Sequence, residues 1–220
     1  MALTAVTIDT QDHPEHAVIW LHGLGASGHD FEPVVEQLEL PENLRVRFVF
    51  PHAPTRPITL NNGIPLKAWY DIYGLDMDSP QDEKGLRQST SDVCALIEQL
   101  VQSGITAERI ILAGFSQGGA QCLYTGLSCG YPLAGILAIS CWLPLHKKFS
   151  DYALRADRSL PILLLHGMYD VTIPISAAQS TRETLEQHGF TVAWQSYPCA
   201  HTVSPQEIRD IRTWLLECWQ

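Results

Sequence analysis

The sequence predicts an open, doubly wound α/β fold, a mostly parallel sheet with helices on both faces. Two observations carry this. Apolar runs without polar alternation recur along the chain, at residues 17–21, 46–50, 110–113, 135–139 and 162–165. Such runs suit strands covered on both faces, as in a parallel sheet. Amphipathic helical patterns lie between them, and this alternation builds a doubly wound sheet. The 220 residues, 45% of them hydrophobic, suffice for one sizeable core. No repeat, low-complexity tract or Pro/Gly/Ser-rich linker divides them, so residues 1–220 read as a single domain.

Residues 3–8 read as a first strand, and the turn-rich Gln11-Asp12-His13-Pro14-Glu15 after them suggests an antiparallel edge hairpin. Residues 51–84 break the alternation with Pro51, Pro54, Pro57, Pro65 and Pro80, paired asparagines and scattered aromatics. A loop of that length inside a compact domain is usually functional, with a plain surface meander as the alternative. Val93, Leu96, Ile97, Leu100 and Val101 then form one apolar stripe at helical spacing. Residues 191–197 supply a further strand. Ser204-Pro205-Gln206-Glu207 is a capping box with proline at the first helical position. It starts a last helix whose buried face is Ile208, Ile211, Trp214 and Leu215.

Fourteen basic residues against 24 acidic ones give a formal charge of −10, which argues against nucleic acid as a partner. No apolar run approaches the roughly 18 residues of a membrane span. The first residues lack the basic and apolar regions of a secretory leader. The six cysteines, Cys94, Cys122, Cys129, Cys141, Cys199 and Cys218, form no C-x-x-C pair and no regular spacing. Reduced, mostly buried thiols of a cytoplasmic protein are expected, and no metal site. Cys141, after an apolar run, and Cys199, two residues before His201, are candidate nucleophiles or ligands, with core filling the favoured role.

Directly behind the 110–113 run stands Gly114-Phe115-Ser116-Gln117-Gly118. A G-x-S-x-G that follows a strand and opens a helix reads as a nucleophile elbow, whose glycines allow a turn sharp enough to expose the serine hydroxyl. A serine is a poor nucleophile without a base, so a histidine and a carboxylate should follow at later strand ends. Downstream of Ser116 lie His146, His166, His188 and His201. His201, after the last strand and before the capped helix, is where the base belongs. His146 and His188 look like solvated surface residues, and His166 has no strand-end carboxylate ahead of it. Asp170, in the loop after residues 162–165, becomes the third member, with an N-cap for the following helix as its alternative role.

An oxyanion hole needs two backbone N–H donors aimed at developing charge. Gln117 follows the nucleophile at a helix start and supplies one. The glycine-rich His22-Gly23-Leu24-Gly25-Ala26-Ser27-Gly28 loop follows the 17–21 strand and supplies the other from Leu24. That loop lacks the spacing and the lysine of a phosphate-binding loop.

With these residues in view, the chain resembles the carboxylesterase and acyl-protein thioesterase family, the phospholipase/carboxylesterase group of α/β hydrolases. The resemblance runs in order through His22-Gly23-Leu24-Gly25, Ala53-Pro54-Thr55-Arg56-Pro57, Trp69-Tyr70-Asp71-Ile72, Gly114-Phe115-Ser116-Gln117-Gly118-Gly119, Ser140-Cys141-Trp142-Leu143-Pro144, and His166-Gly167 followed by Asp170. It implies an α/β-hydrolase fold without a large cap domain, with Ser116, Asp170 and His201 as the triad and Leu24 and Gln117 as oxyanion donors. It also implies cytosolic hydrolysis of short- to medium-chain acyl esters without a cofactor, with acyl-protein thioesterase or lysophospholipase action as the alternative, and a homodimer as the family-level expectation. A catalytically silent relative that binds a small ligand is the non-enzyme alternative, disfavoured because all three triad positions are filled.

Two departures touch the loops. Ala26 stands where an acidic residue is usual, and Val171-Thr172-Ile173-Pro174 is less uniformly apolar than expected after Asp170. Ile72-Tyr73-Gly74-Leu75-Asp76-Met77 resembles the family's flap over the active site. Leu66, Trp69, Leu75, Met77 and Trp142 are the candidate substrate contacts, each explained as well by core packing.

Overall fold

The structure is a computed structural model that describes residues 3–153 and 156–220; the first two residues of the stretch read for leader features lie outside it. In chain order its elements are β1 (Ala5–Asp9), β2 (His16–Leu21), α1 (Val34–Gln37), β3 (Val46–Pro51), β4 (Thr55–Ile58), β5 (Ile64–Lys67), α2 (Glu83–Gln102), β6 (Ile110–Phe115), α3 (Gln117–Ser128), β7 (Gly135–Ile139), α4 (Phe149–Tyr152), β8 (Ile162–Gly167), α5 (Ile175–Gln187), β9 (Val192–Tyr197) and α6 (Pro205–Cys218).

Seven strands form one sheet in the order β1-β3-β2-β6-β7-β8-β9. All neighbours run parallel except β1, which is antiparallel to β3. The apolar runs are buried as parallel strands should be: every residue of β2, β7 and β8 is buried. Helices cover both faces. Leu96, Ile97 and Leu100 of α2, Leu123 and Leu127 of α3 and Leu185 of α5 share one apolar cluster with Leu112 and Ile136. Val34 and Leu38 on one segment, and Ile208, Ile211, Trp214 and Leu215 of α6, pack on the other face against Val18, Phe48 and Leu163. Each such side chain removed from water contributes about 1.5–3 kcal/mol. The Ser204 capping box forms as read, with Glu207 returning a carboxylate to the Ser204 amide at 2.6 Å.

The hairpin expected at the N-terminus does not form between β1 and β2. β1 instead pairs with β3, from Ala5 opposite Pro51 to Asp9 opposite Arg47. β2 is buried throughout and takes a parallel neighbour on each side, whereas the alternating exposure of β1 suits an edge. Thr10 makes the crossing, its hydroxyl donating to the Leu44 carbonyl (3.0 Å) and accepting from the Val46 amide (3.0 Å). Val101 also departs from its stripe and is exposed. It lies about 80° round the helix from Val93, at the margin of the buried face.

Residues 51–84 are ordered. β4 and β5 pair as an antiparallel hairpin turned by Asn62 and Gly63, both at positive φ (55° and 77°). The Asp71 carboxylate accepts from the Thr59 amide and hydroxyl at 2.7 and 2.6 Å, pinning the hairpin base to the following segment. The strand order reverses direction between β2 and β6, and open α/β sheets bind ligands at the carboxyl ends of strands at such a point. The glycine-rich loop leaves β2 there and the elbow leaves β6. Among the described residues no helix is long and apolar enough to cross a membrane.

Candidate active site

Ser116 sits between β6 and α3 at φ 55° and ψ −121°, a conformation that L-residues rarely adopt. Its neighbours explain how the turn closes. A Cβ on Gly114 would lie 2.4 Å from the Gly118 carbonyl oxygen. One on Gly118 would lie 2.2 Å from the Leu21 oxygen and 2.6 Å from the His22 oxygen. Only glycine permits that approach, and it seats the elbow directly on the end of β2. The Ser116 amide donates to the Ile139 carbonyl at 2.8 Å, fixing the turn to β7.

Ser116, Asp170 and His201 come together from three strand ends. The Ser116 hydroxyl donates to His201 Nε2 at 3.0 Å, and His201 Nδ1–H donates to Asp170 Oδ2 at 2.6 Å. Asp170 is buried, and its other oxygen accepts from the Thr172 and Ile173 amides at 2.9 and 2.8 Å. It is therefore not the N-cap of α5, a position held by Pro174. The loops bearing Asp170 and His201 are laced together: the Met168 and Tyr169 amides donate to the Tyr197 and Cys199 carbonyls at 2.7 and 2.9 Å. The Phe115 ring packs on the His201 imidazole with centroids 4.7 Å apart.

His166 is buried behind this pair. Its Nε2–H donates to the Ile173 carbonyl at 2.8 Å, 3.5 Å from Asp170 Oδ2, and burial holds its pKa below the ordinary value. A neutral His166 thus shapes the Asp170 loop, as its position suggested. His146 and His188 lie outside the cluster; His188 caps the end of α5 through the Thr184 carbonyl at 2.8 Å.

A cavity of about 460 Å³ opens at the serine, within the ordinary range for small-molecule sites. Leu24 and Gln117 border it beside Ser116 and His201, as do Leu75 and Trp142. Leu66, Trp69 and Met77 do not. Leu66 faces the core behind the hairpin, and Met77 lies outside the lining. Trp69 is fully buried, with its indole N–H donating to the His22 carbonyl at 2.8 Å, so it braces the glycine-rich loop and leaves its neighbours Tyr70 and Ile72 to line the cavity. Phe31, Phe115, Cys141 and Ile173 also line it and were not foreseen as contacts. Cys141 is a buried thiol pushed up by burial, which suits wall material rather than a nucleophile.

Two bracing side chains escaped the sequence reading. Gln117 accepts from the Trp69 amide at 3.0 Å and donates to the Tyr70 carbonyl at 2.7 Å. His22 is buried and held neutral by that burial; its Nε2 accepts from the Ala53 amide at 3.0 Å and its Nδ1–H donates to the Gly23 carbonyl at 2.7 Å. The only signal was placement, a polar side chain directly after a nucleophile or a strand. Near Ala26, Asp30 borders the same cavity, its carboxylate accepting from the Ser27 hydroxyl and amide at 2.8 Å each, and the first of these holds it below its usual pKa. Among the described residues no group of three or more His, Cys, Asp or Glu is placed to hold a metal ion.

Residues 3–219 match the sequence profile of the phospholipase/carboxylesterase family. The chain is 39% identical to acyl-protein thioesterase 1 of Gibberella zeae over 207 residues, covering 90% of this chain and 88% of that protein. It is 37% identical to acyl-protein thioesterase 1 of Neurospora crassa, covering 91% and 85%. Among solved structures, Arabidopsis thaliana SOBER1 superposes with a TM-score of 0.86 at 32% identity, over 93% of this chain and 99% of that one. Zea mays acyl-protein thioesterase 2 superposes with a TM-score of 0.87 at 27% identity, over 99% and 100%.

Proposed function

Because the chain belongs to the phospholipase/carboxylesterase family of α/β hydrolases and is a serine hydrolase of that family, we propose that Ser116, His201 and Asp170 perform its acyl transfer. The observation that carries the assignment is the unbroken hydrogen-bond chain from Ser116 through His201 to Asp170, at 3.0 and 2.6 Å. His201 Nε2 takes the Ser116 proton as the hydroxyl oxygen attacks the acyl carbonyl. Asp170 holds the ring so that Nε2 faces the serine, and it stabilises the imidazolium. The Leu24 and Gln117 amides receive the tetrahedral oxyanion, each contributing on the order of 3–4 kcal/mol. His201 then protonates the departing alcohol or thiol, and water resolves the acyl-enzyme by the same steps.

The substrate in this reading is a short- to medium-chain acyl ester, its acyl part packed among Leu75, Trp142, Ile72 and Tyr70. A second reading, hydrolysis of acyl thioesters on proteins, is favoured by the names of the relatives at 37–39% identity. Cytoplasmic action belongs to the same proposal, supported by six cysteines that are all unbridged. The test is Ser116→Ala assayed on matched oxygen and sulfur esters of increasing chain length. Turnover should fall by about 10⁴-fold or more, and fluorophosphonate labelling should vanish. Substantial residual turnover would remove Ser116 from the chemistry, and the ratio of kcat/KM for the two series decides between ester and thioester.

A further inference from the structure

α2 and α3 lie side by side with their short side chains in register. Gln121 of α3 donates to the Leu86 carbonyl and the Thr90 hydroxyl of α2, at 3.2 and 3.0 Å. One turn further along each helix the Thr90 and Thr125 hydroxyls meet at 3.1 Å. One turn beyond that stand Cys94 on α2 and Cys129 at the end of α3. Farther along still, the Tyr131 hydroxyl donates to Glu98 at 2.9 Å. Contacts on both sides therefore hold the two chain segments together at the cysteines, and both residues are partly exposed.

We propose that Cys94 and Cys129 are a redox site that reacts with low-molecular-weight disulfides, closing a reversible intrachain disulfide between α2 and α3. The threonine pair gives the scale: its contact is between γ atoms, and sulfur atoms at the same positions need approach only by about 1 Å to bond. The chemistry also assigns an order. The two thiols act most strongly on each other, which holds Cys129 below its ordinary pKa and pushes Cys94 up. Burial raises the others, Cys199 to about 11 and Cys218 to about 12, with Cys122 and Cys141 also pushed well up. The Cys129 thiolate attacks one sulfur of the reagent disulfide, forming a mixed disulfide and expelling one thiolate. Cys94 loses its proton to solvent and attacks the Cys129 sulfur, expelling the second thiolate. Two protein thiols are oxidised and one reagent disulfide is reduced to two thiols.

The bridge ties α3, whose first turn lines the cavity, to α2, whose N-cap holds the segment behind it. α3 begins at the elbow, and the N-cap of α2, Asp82, accepts from the Asp71 amide at 2.9 Å. Cross-linking restricts the unfolded chain, so the melting temperature should rise by roughly 5–15 °C.

The experiment incubates the full chain with glutathione disulfide, then blocks free thiols under denaturing conditions for non-reducing peptide mapping. Two of the six thiols should disappear into one Cys94–Cys129 linked peptide, and a reducing agent should restore them. Cys94→Ser should stop at a glutathione adduct on Cys129, whereas Cys129→Ser should leave Cys94 largely unmodified. Both variants should keep ester turnover in reducing buffer, which verifies the fold. Six free thiols after oxidation, a bridge through any other pair, or a Cys94→Ser protein without the Cys129 adduct would each overturn the proposal.

Discussion

Gln117 holds the Trp69 amide at 3.0 Å from the position immediately after the elbow serine. The same side chain amide donates to the Tyr70 carbonyl at 2.7 Å, so one residue of α3 carries the backbone of the segment that lines the cavity. The residue proposed to give its main-chain N–H to the oxyanion thus uses its side chain to place the substrate wall.

Replacing Gln117 by alanine should leave the backbone donor in place while orphaning a buried amide and a buried carbonyl. The expected loss is about 2–4 kcal/mol of stability, with KM raised more than kcat is lowered. Gln117→Glu separates the two bonds. Its carboxylate still accepts from Trp69 but repels the Tyr70 oxygen until protonated, so KM should recover as the pH falls. Steady-state kinetics on both variants checks this, and an unchanged KM in Gln117→Ala would detach the side chain from substrate binding.

The φ of 55° at Ser116 should be measurable as strain. Non-glycine residues in such conformations cost about 1–3 kcal/mol, and the extra freedom of glycine in the unfolded chain offsets about 0.4–1 of that. Ser116→Gly should therefore be about 1 kcal/mol more stable than Ser116→Ala, both lacking the hydroxyl. Urea denaturation of the pair measures the difference, and equal stabilities would mean that the elbow stores no strain.

Acid should weaken the fold before the carboxylates titrate. Burial lowers His16, His22, His52 and His166 from 6.5 in the folded protein. Between each lowered value and 6.5 the unfolded chain binds more protons, so stability is complete above about pH 6.5 and declines as the pH falls through the folded values. The slope is at most about 1.4 kcal/mol per pH unit for each histidine. Glu207, raised by burial, contributes the opposite sign from 4.5 upward, one group against four. Urea midpoints from pH 7 to 5 should fall, and His166→Asn should flatten the slope; a flat wild-type series would contradict the buried neutral histidines.

The proposed triad could be read because each member follows a segment read as a strand, and those segments became β6, β8 and β9 in the order read. Pairing was less legible. Nothing local in residues 3–8 distinguishes β2 from β3 as a partner, because the choice depends on which strand the finished sheet leaves at its edge. Of the five candidate contacts on the cavity wall, only two reach it. Leu75 and Trp142 reach it, but Trp69 turned inward to the His22 carbonyl, and an aromatic residue in a loop carries no sign of which way it faces. Gln117 shows the same limit: its partners lie 48 and 47 residues away in sequence.

The seat of Gly118 against the carbonyls of Leu21 and His22 has a consequence for how such a protein diversifies. That contact is main chain against main chain, with no side chain between. Gly118 itself apart, mutation has nothing there to exchange, so the spacing of the two proposed oxyanion donors survives most rewriting of the surrounding surface. The hairpin and the segment after it hang from this frame by side-chain hydrogen bonds, which substitution can alter. A lineage can therefore change what it hydrolyses without having to rebuild the means of hydrolysis.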